Sequence, residues 1–388
     1  MRSHHASALL PLAFAVLLTS VLAGRAAFAQ QPVTLNKTPP TIDLLADDSL
    51  DAWHVSGCRV SVDDGVLRLE EGDGFARIAW PLRDFELAFE WRPLGDAGYD
   101  SGIYFRAPEP EGSPWPARHQ INLLQGHEGG LLGYPEAKVP EGLVRPRDWN
   151  AMRLKVSGRR AELTINDRPA WTIDDLPIET GFVGIQSEVP GGGRFEFRKL
   201  TLVELDAEPL LHDDLTGWTV VGDVGETTWQ VRDGVLRSAG GNSWLRHETP
   251  IDDVELRLEY RVPPHGNSGV YLRVPEDGAH HGPGSGVEIQ ILDDAHPDYV
   301  DLAPYQYSAG LYDFAGSEPR VSRPAGSWNV LEIAAVGGRY RIRHNGLTVV
   351  DVDDANLPEL AQRNRSGFWG LQGHGEQVEF RRVRRVLP

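Results

Sequence analysis

Gly286-Val287-Glu288-Ile289-Gln290-Ile291-Leu292-Asp293-Asp294 is the stretch on which the reading of this chain turns. Val287, Ile289 and Ile291 alternate with Glu288 and Gln290, the period-two pattern of a strand with one apolar and one polar face. Such a strand covers a core with one side and leaves the other open. A single Glu on the open side is ordinarily a solvated surface residue. An acid beside an amide, followed by two more acids, makes this face a candidate groove.

Working outward, the chain has 388 residues, a length that suggests two or three domains. The 42 Gly and 28 Pro punctuate turns, which predicts many short strands. Residues 1–29 read as a secretory signal peptide: Arg2 opens it, Leu9 to Leu22 is its apolar core, and Ala27-Phe28-Ala29 supplies the small–x–small cleavage pattern. Residues 30–42 read as a linker. The expected location is therefore exported, periplasmic or secreted. No other segment is long and apolar enough for a bilayer, so no membrane insertion is expected after cleavage. The leader holds two Arg and no acid, so its removal takes the net charge from −18 to −20. That charge argues against nucleic acid as a partner and is neutral about sugars. Cys58 is the one cysteine, so no internal disulfide forms.

The remainder runs through one pattern twice. Asp64-Gly65-Val66-Leu67-Arg68 returns as Asp233-Gly234-Val235-Leu236-Arg237, and Ser101-Gly102-Ile103-Tyr104-Phe105-Arg106 as Ser268-Gly269-Val270-Tyr271-Leu272-Arg273. Trp149-Asn150 returns as Trp328-Asn329, Gly184-Ile185-Gln186 as Gly370-Leu371-Gln372, and Phe195-Glu196-Phe197-Arg198 as Val378-Glu379-Phe380-Arg381. The matches keep their order, which places one unit over 43–207 and a second over 208–388. Phe85, Leu87, Phe89 and Trp91 alternate with polar or small residues, as do Val254, Leu256, Leu258 and Tyr260. Asn345-Gly346 and Asn166-Asp167 are tight-hairpin signals. No amphipathic helix is evident beyond a turn or two at 357–363. An all-β chain of two tandem jelly-roll β-sandwiches is expected.

In the second unit, strand parity puts Tyr271 and Arg273 on one face, and Glu288 and Gln290 lie on the next informative strand. Asp293-Asp294-Ala295-His296-Pro297-Asp298 is dense in acids. A solvated turn is the plain reading, and a divalent cation such as calcium is the alternative. His374 sits between Gly373 and Gly375, open to approach. Glu288 and His374 are the candidate general acid and base; Arg273, Gln290 and Gln372 are candidate donors, and Tyr271, Asp293 and Tyr312 further substrate contacts.

The motifs Asn267-Ser268-Gly269-Val270, Gly286 to Asp293, Gly310-Leu311-Tyr312-Asp313, Pro324 to Asn329 and Leu371-Gln372-Gly373-His374-Gly375 together resemble the 3-keto-disaccharide hydrolase domain family. The resemblance implies a concanavalin A-like jelly roll and covers the second unit from about Leu211 to the C-terminus. The first unit resembles the same family more weakly: Gln120 stands opposite Glu288, Asn122 opposite Gln290 and Glu188 opposite His374. It is therefore expected to be a degenerate, binding or structural copy, with Trp115, His119, His127 and Tyr134 as groove candidates.

What the resemblance implies is cleavage of glycosides whose sugar carries a 3-ketone. The ketone acidifies the C2 proton; a base removes it, the C1 substituent leaves, and water adds back. It also implies an oxidoreductase that supplies the 3-keto sugar. Two other readings stay open: a non-catalytic carbohydrate-binding protein, and an exported scaffold.

Overall fold

The computed structural model describes residues 39–95 and 98–388; the expected leader, and most of the expected linker, lie outside them. From Ile42, which pairs with Leu202, the chain is a succession of strands broken by turns and five short 3-10 segments. It is all-β: two tandem concanavalin A-like jelly-roll sandwiches. One of the 3-10 segments, Leu360–Gln362, falls where a helical turn is expected.

In the first unit Phe85–Pro93 lies between Asn150–Ser157 and Phe195–Glu204. Its residues alternate between buried and half-buried from end to end, as the sequence pattern predicts. The long strand Val66–Ile78 passes from one layer to the other, pairing with Phe195–Glu204 early and with Phe182–Val189 late. In the second unit the layers are separate sheets. One runs Trp218–Asp223, Asn242–His247, Phe368–His374, Asn267–Val274, Val287–Leu292 in spatial order. The other is built around Glu379–Val386, Val254–Arg261 and Asn329–Val336. Val270, Leu272, Val287, Ile289, Ile291 and Leu371 from the first meet Leu256, Tyr260, Leu331 and Ile333 from the second in one core. Burying each such side chain contributes about 1.5–3 kcal/mol.

The duplication is visible in backbone detail as well as in sequence. Asn166 and Asn345 both take positive φ at their hairpins. Each amide then reaches the same partner: Asn166 Nδ2 donates to Asn150 Oδ1 at 2.9 Å, and Asn345 Nδ2 to Asn329 Oδ1 at 2.8 Å. Arg106 and Arg273 also share positive φ, a bulge in matching strands.

One pattern departs from expectation for a physical reason. On Val254–Arg261 the polar residues Arg257 and Glu259 are buried, not solvated. Their face packs against the first unit. Arg257 Nη1 donates to Glu204 Oε1 of the first unit at 2.9 Å, Arg384 binds the same carboxylate, and Arg257 Nε reaches Glu332 at 2.9 Å. Arg323 spans the junction to the carbonyls of Asp51 and Trp53, and Arg77 to that of Gly346. A buried charge persists only when paired, so these ion pairs tie the two sandwiches in one register.

Candidate functional site

Glu288 sits on Val287–Leu292, and its backbone is closed off by the segment that follows: Tyr312 N donates to Glu288 O and Gln290 N to Gly310 O, both at 2.9 Å. Its side chain turns onto the outer face of the five-stranded sheet and lies across Gly269. A Cβ at Gly269 would stand 2.2 Å from Glu288 Oε1, so that glycine is needed for the carboxyl to lie where it does. The loop between Val274 and Val287 folds back over this face and covers the carboxyl, which is 4% exposed.

That loop carries two histidines which sequence reasoning missed. His280 stacks on Tyr271, ring centres 4.4 Å apart, and places Nε2 3.3 Å from Glu288 Oε2. Its Nδ1 lies 3.0 Å from the carbonyl of Gly278, an acceptor, so Nδ1 carries the proton and Nε2 presents a lone pair to Glu288. Burial first, then Asp313, pushes the Glu288 carboxyl up to about 8. Burial likewise lowers His280. At neutral pH the proton between them therefore sits on Glu288. His281, the second, is half-exposed; its Nδ1 is 3.1 Å from Asp313 Oδ2. With the Asp313 carboxylate accepting from Nδ1–H, Nε2 is the ring nitrogen left to act on a substrate.

Arg363 fixes the loop. It is nearly buried and its Nη1 donates to His280 O at 2.7 Å and Ser285 Oγ at 2.5 Å, with Asp313 Oδ2 3.7 Å away. Tyr271 receives a hydrogen bond from Gln372 Nε2 at 2.7 Å and packs edge-on against Trp244. Tyr312 borders His281, ring centres 5.7 Å apart. The structure thus brings Glu288, Tyr271, Gln372 and Tyr312 together, with Gln290 two residues along. The signal available in the sequence for the rest was His280-His281 in a loop between glycines, and Asp313 after Tyr312.

Three expected members lie elsewhere. Arg273 was to share the face of Tyr271, but the bulge at Arg273 inverts the alternation. It is fully buried, donating to the carbonyls of Asp252, Ala335 and Gly337 and to Tyr340 across the sandwich. With all its donors spent on protein acceptors, it is a structural tie. His374 is the second correction. Strand register pairs it with Asn267, itself opposite Leu292, while Glu288 aligns with Tyr271 and Gly370. Both face the same side, yet four residues separate them along the strand, about 13 Å. One sugar ring does not reach both. Asp293 sits near that far end: its carboxylate accepts from His265 N at 3.0 Å, and that of Asp294 from Ser308 N at 2.9 Å and Ser322 Oγ. Two of the three acids of the expected calcium loop, Asp293 and Asp294, are thus committed to protein donors.

The matching place in the first unit is closed on itself. Tyr104 donates to Gln120 Oε1 at 3.0 Å, Gln120 Nε2 to Gln186 Oε1 at 2.5 Å, and Gln186 in turn to Glu188. The segment bonded to Gln120 puts Leu132 and Gly133 where Tyr312 and Asp313 stand. His119 stacks on Phe105 inside the sandwich and the Trp115 indole donates to Ser187 O. His127 and Tyr134 instead help line a cavity of about 610 Å³ with Glu128, Lys138 and Glu141.

A family described as the 3-keto-alpha-glucoside-1,2-lyase-like domain matches this chain twice, over residues 40–203 and 206–385. The chain belongs to that family. Its two matched segments divide at the same point as the two sandwiches. A curated relative, the 3-keto-disaccharide hydrolase of Bacteroides thetaiotaomicron, is 27% identical over 228 residues, 47% of this chain and 79% of that protein. A solved structure from Parabacteroides distasonis, provisionally described as a glycosyl hydrolase, is 25% identical over 47% of this chain and 99% of its own, with a TM-score of 0.42. A carbohydrate-binding module from Bacillus subtilis is 15% identical over 44% of this chain and 95% of its own, with a TM-score of 0.33.

Proposed function

We propose that the second sandwich is a carbohydrate hydrolase of the 3-keto-disaccharide type, acting by elimination and rehydration at the Glu288 corner. The observation that carries this is a buried carboxyl held protonated to about pH 8, beside a separate imidazole oriented by its own carboxylate. A carboxyl that keeps its proton and an imidazole oriented by a second carboxylate are the two groups that paired acid and base chemistry uses. His281, held by Asp313, takes the C2 proton of a 3-keto-glycoside. The electron pair moves onto the C3 oxygen, for which the Tyr271 hydroxyl and Gln372 amide are the proposed donors. It then returns to form the C1–C2 double bond as the C1 oxygen departs with the proton of Glu288. Water adds across that double bond, so the net change is hydrolysis. His280, facing Glu288 alone, positions and recharges that acid.

The leader motivates the further proposal that the protein works outside the cytoplasm. Its substrate must come from a dehydrogenase or oxidase that oxidises a glycoside at C3. The first sandwich, lacking the acid, the imidazoles and Asp313, serves as a binding copy through the cavity beside His127 and Tyr134.

Incubation with a 3-keto-disaccharide in D₂O tests the chemistry. Elimination followed by hydration gives a monosaccharide product with one deuterium on C2, measured at early times by mass spectrometry. Turnover without C2 label would remove the elimination step. Tight sugar binding with no product would favour a non-catalytic carbohydrate-binding protein.

A further inference from the structure

At the opposite end of the same sheet face, away from Glu288, three loop side chains converge. His265 precedes Asn267–Val274, and His296 and Asp298 follow Val287–Leu292. The His265 Nε2 and His296 Nδ1 atoms are each 3.8 Å from Asp298 Oδ2. One nitrogen or oxygen from each of the three lies within 4.8 Å of the others. The rings of His265 and His296 stand edge-to-face, centres 4.6 Å apart.

We propose that His265, His296 and Asp298 form a divalent transition-metal site, of the kind taken by Zn²⁺, in which the metal pins these two loops at the far end of the groove. Two imidazoles and one carboxylate form a borderline donor set. It suits zinc and its neighbours and is poor for calcium, which takes six to eight oxygens. Tetrahedral ligation at about 2.0–2.1 Å places ligand atoms roughly 3.3 Å apart. The group therefore has to close by about half an ångström on the two edges to Asp298. The side chains are free to do so: those of His265 and Asp298 are 50% and 72% exposed.

The surroundings support the ligands. Tyr299 stacks flat on the His265 ring at 5.0 Å and its hydroxyl donates to the His265 carbonyl at 3.2 Å, while Asp293 accepts the His265 amide at 3.0 Å. These contacts fix the backbone and ring plane of the first ligand, as outer-shell partners do. The one contact to be given up is the 3.2 Å bond from Asp298 N to His296 Nδ1; the amide then turns to solvent. With three protein ligands, a tetrahedral metal here keeps one open position.

The test uses the purified chain, stripped with chelator, and Zn²⁺ alone. Calorimetry is expected to show one Zn²⁺ bound per chain, with a rise in melting temperature that chelator reverses. Co²⁺ in its place is expected to give a visible absorption band of a tetrahedral nitrogen and oxygen site. His296→Ala and His265→Ala each weaken binding by at least about tenfold and abolish the Co²⁺ band. Asp298→Asn, exposed enough to leave folding intact, does the same more mildly. Failure of wild type to bind Zn²⁺, Zn²⁺ affinity unchanged in all three variants, or tighter binding of Ca²⁺ than of Zn²⁺ would each overturn the proposal. None of these readouts depends on sugar cleavage.

Discussion

The two sandwiches hold the same strands and the same bulged arginine, and differ where it counts for chemistry. In the second, Glu288 is buried beside His280 and pushed up to about 8. In the first, Gln120 occupies that place and its amide is consumed by Tyr104 and Gln186. Gly133 stands where the second copy has Asp313. A neutral amide in a closed hydrogen-bond chain neither gives up nor accepts a proton. The comparison shows that duplication preserved the scaffold while a buried, proton-holding carboxyl stands at this corner in one copy and an amide in the other.

The largest effect should come from the base. His281→Ala is expected to lower kcat by about 10²–10⁴ while leaving the sandwich folded, because proton transfer by a positioned group is worth that much. Asp313→Asn, which leaves the imidazole without its anionic partner, should follow with a smaller loss; steady-state kinetics on a 3-keto-glycoside separate the two. Glu204→Ala breaks the comparison in a different way, by parting the copies. It takes from Arg384 its carboxylate partner and leaves Arg257 only Glu332 and Glu255, and stability should fall by about 3–5 kcal/mol in denaturant unfolding.

The pH profile sharpens the difference. Glu288 must be protonated to assist departure, so kcat should fall as pH rises through about 8. The stability sign follows from the same shift. Folded Glu288 holds its proton to about 8 whereas the unfolded group releases it near 4.5, so the folded state binds more protons between these values. Folding stability is thereby lost as pH rises from about 4.5 to about 8, and Glu288→Gln should remove that slope. The smallest effect is the most pointed. Gln120→Glu restores the acid to the first copy without a base, so activity should not change; a gain would show that the first copy needs only its carboxyl.

Strand alternation, hairpins and duplication were legible because they rest on local rules. Asn345-Gly346 and the alternation from Phe85 to Trp91 are read from neighbours a few residues apart. Glu288, Tyr271 and Gln372 were reachable by the same parity. Parity failed at Arg273, where one residue at positive φ inverts the face, a bulge that no composition rule announces. It failed for His374 because a strand pattern gives the face and not the register along it. His280 and His281 escaped because their loop owes its position to Arg363, more than seventy residues away in sequence. The buried charges of Val254–Arg261 look like a solvated face until the first sandwich is laid on them.

The central claim is that Glu288 supplies the working proton. Its direct test is the rate of 3-keto-disaccharide cleavage by Glu288→Gln, which makes the second copy resemble the first at this position. The account predicts a loss of about 10²–10⁴ in kcat with substrate still bound and the fold unchanged. Cleavage at the wild-type rate by that variant would contradict it.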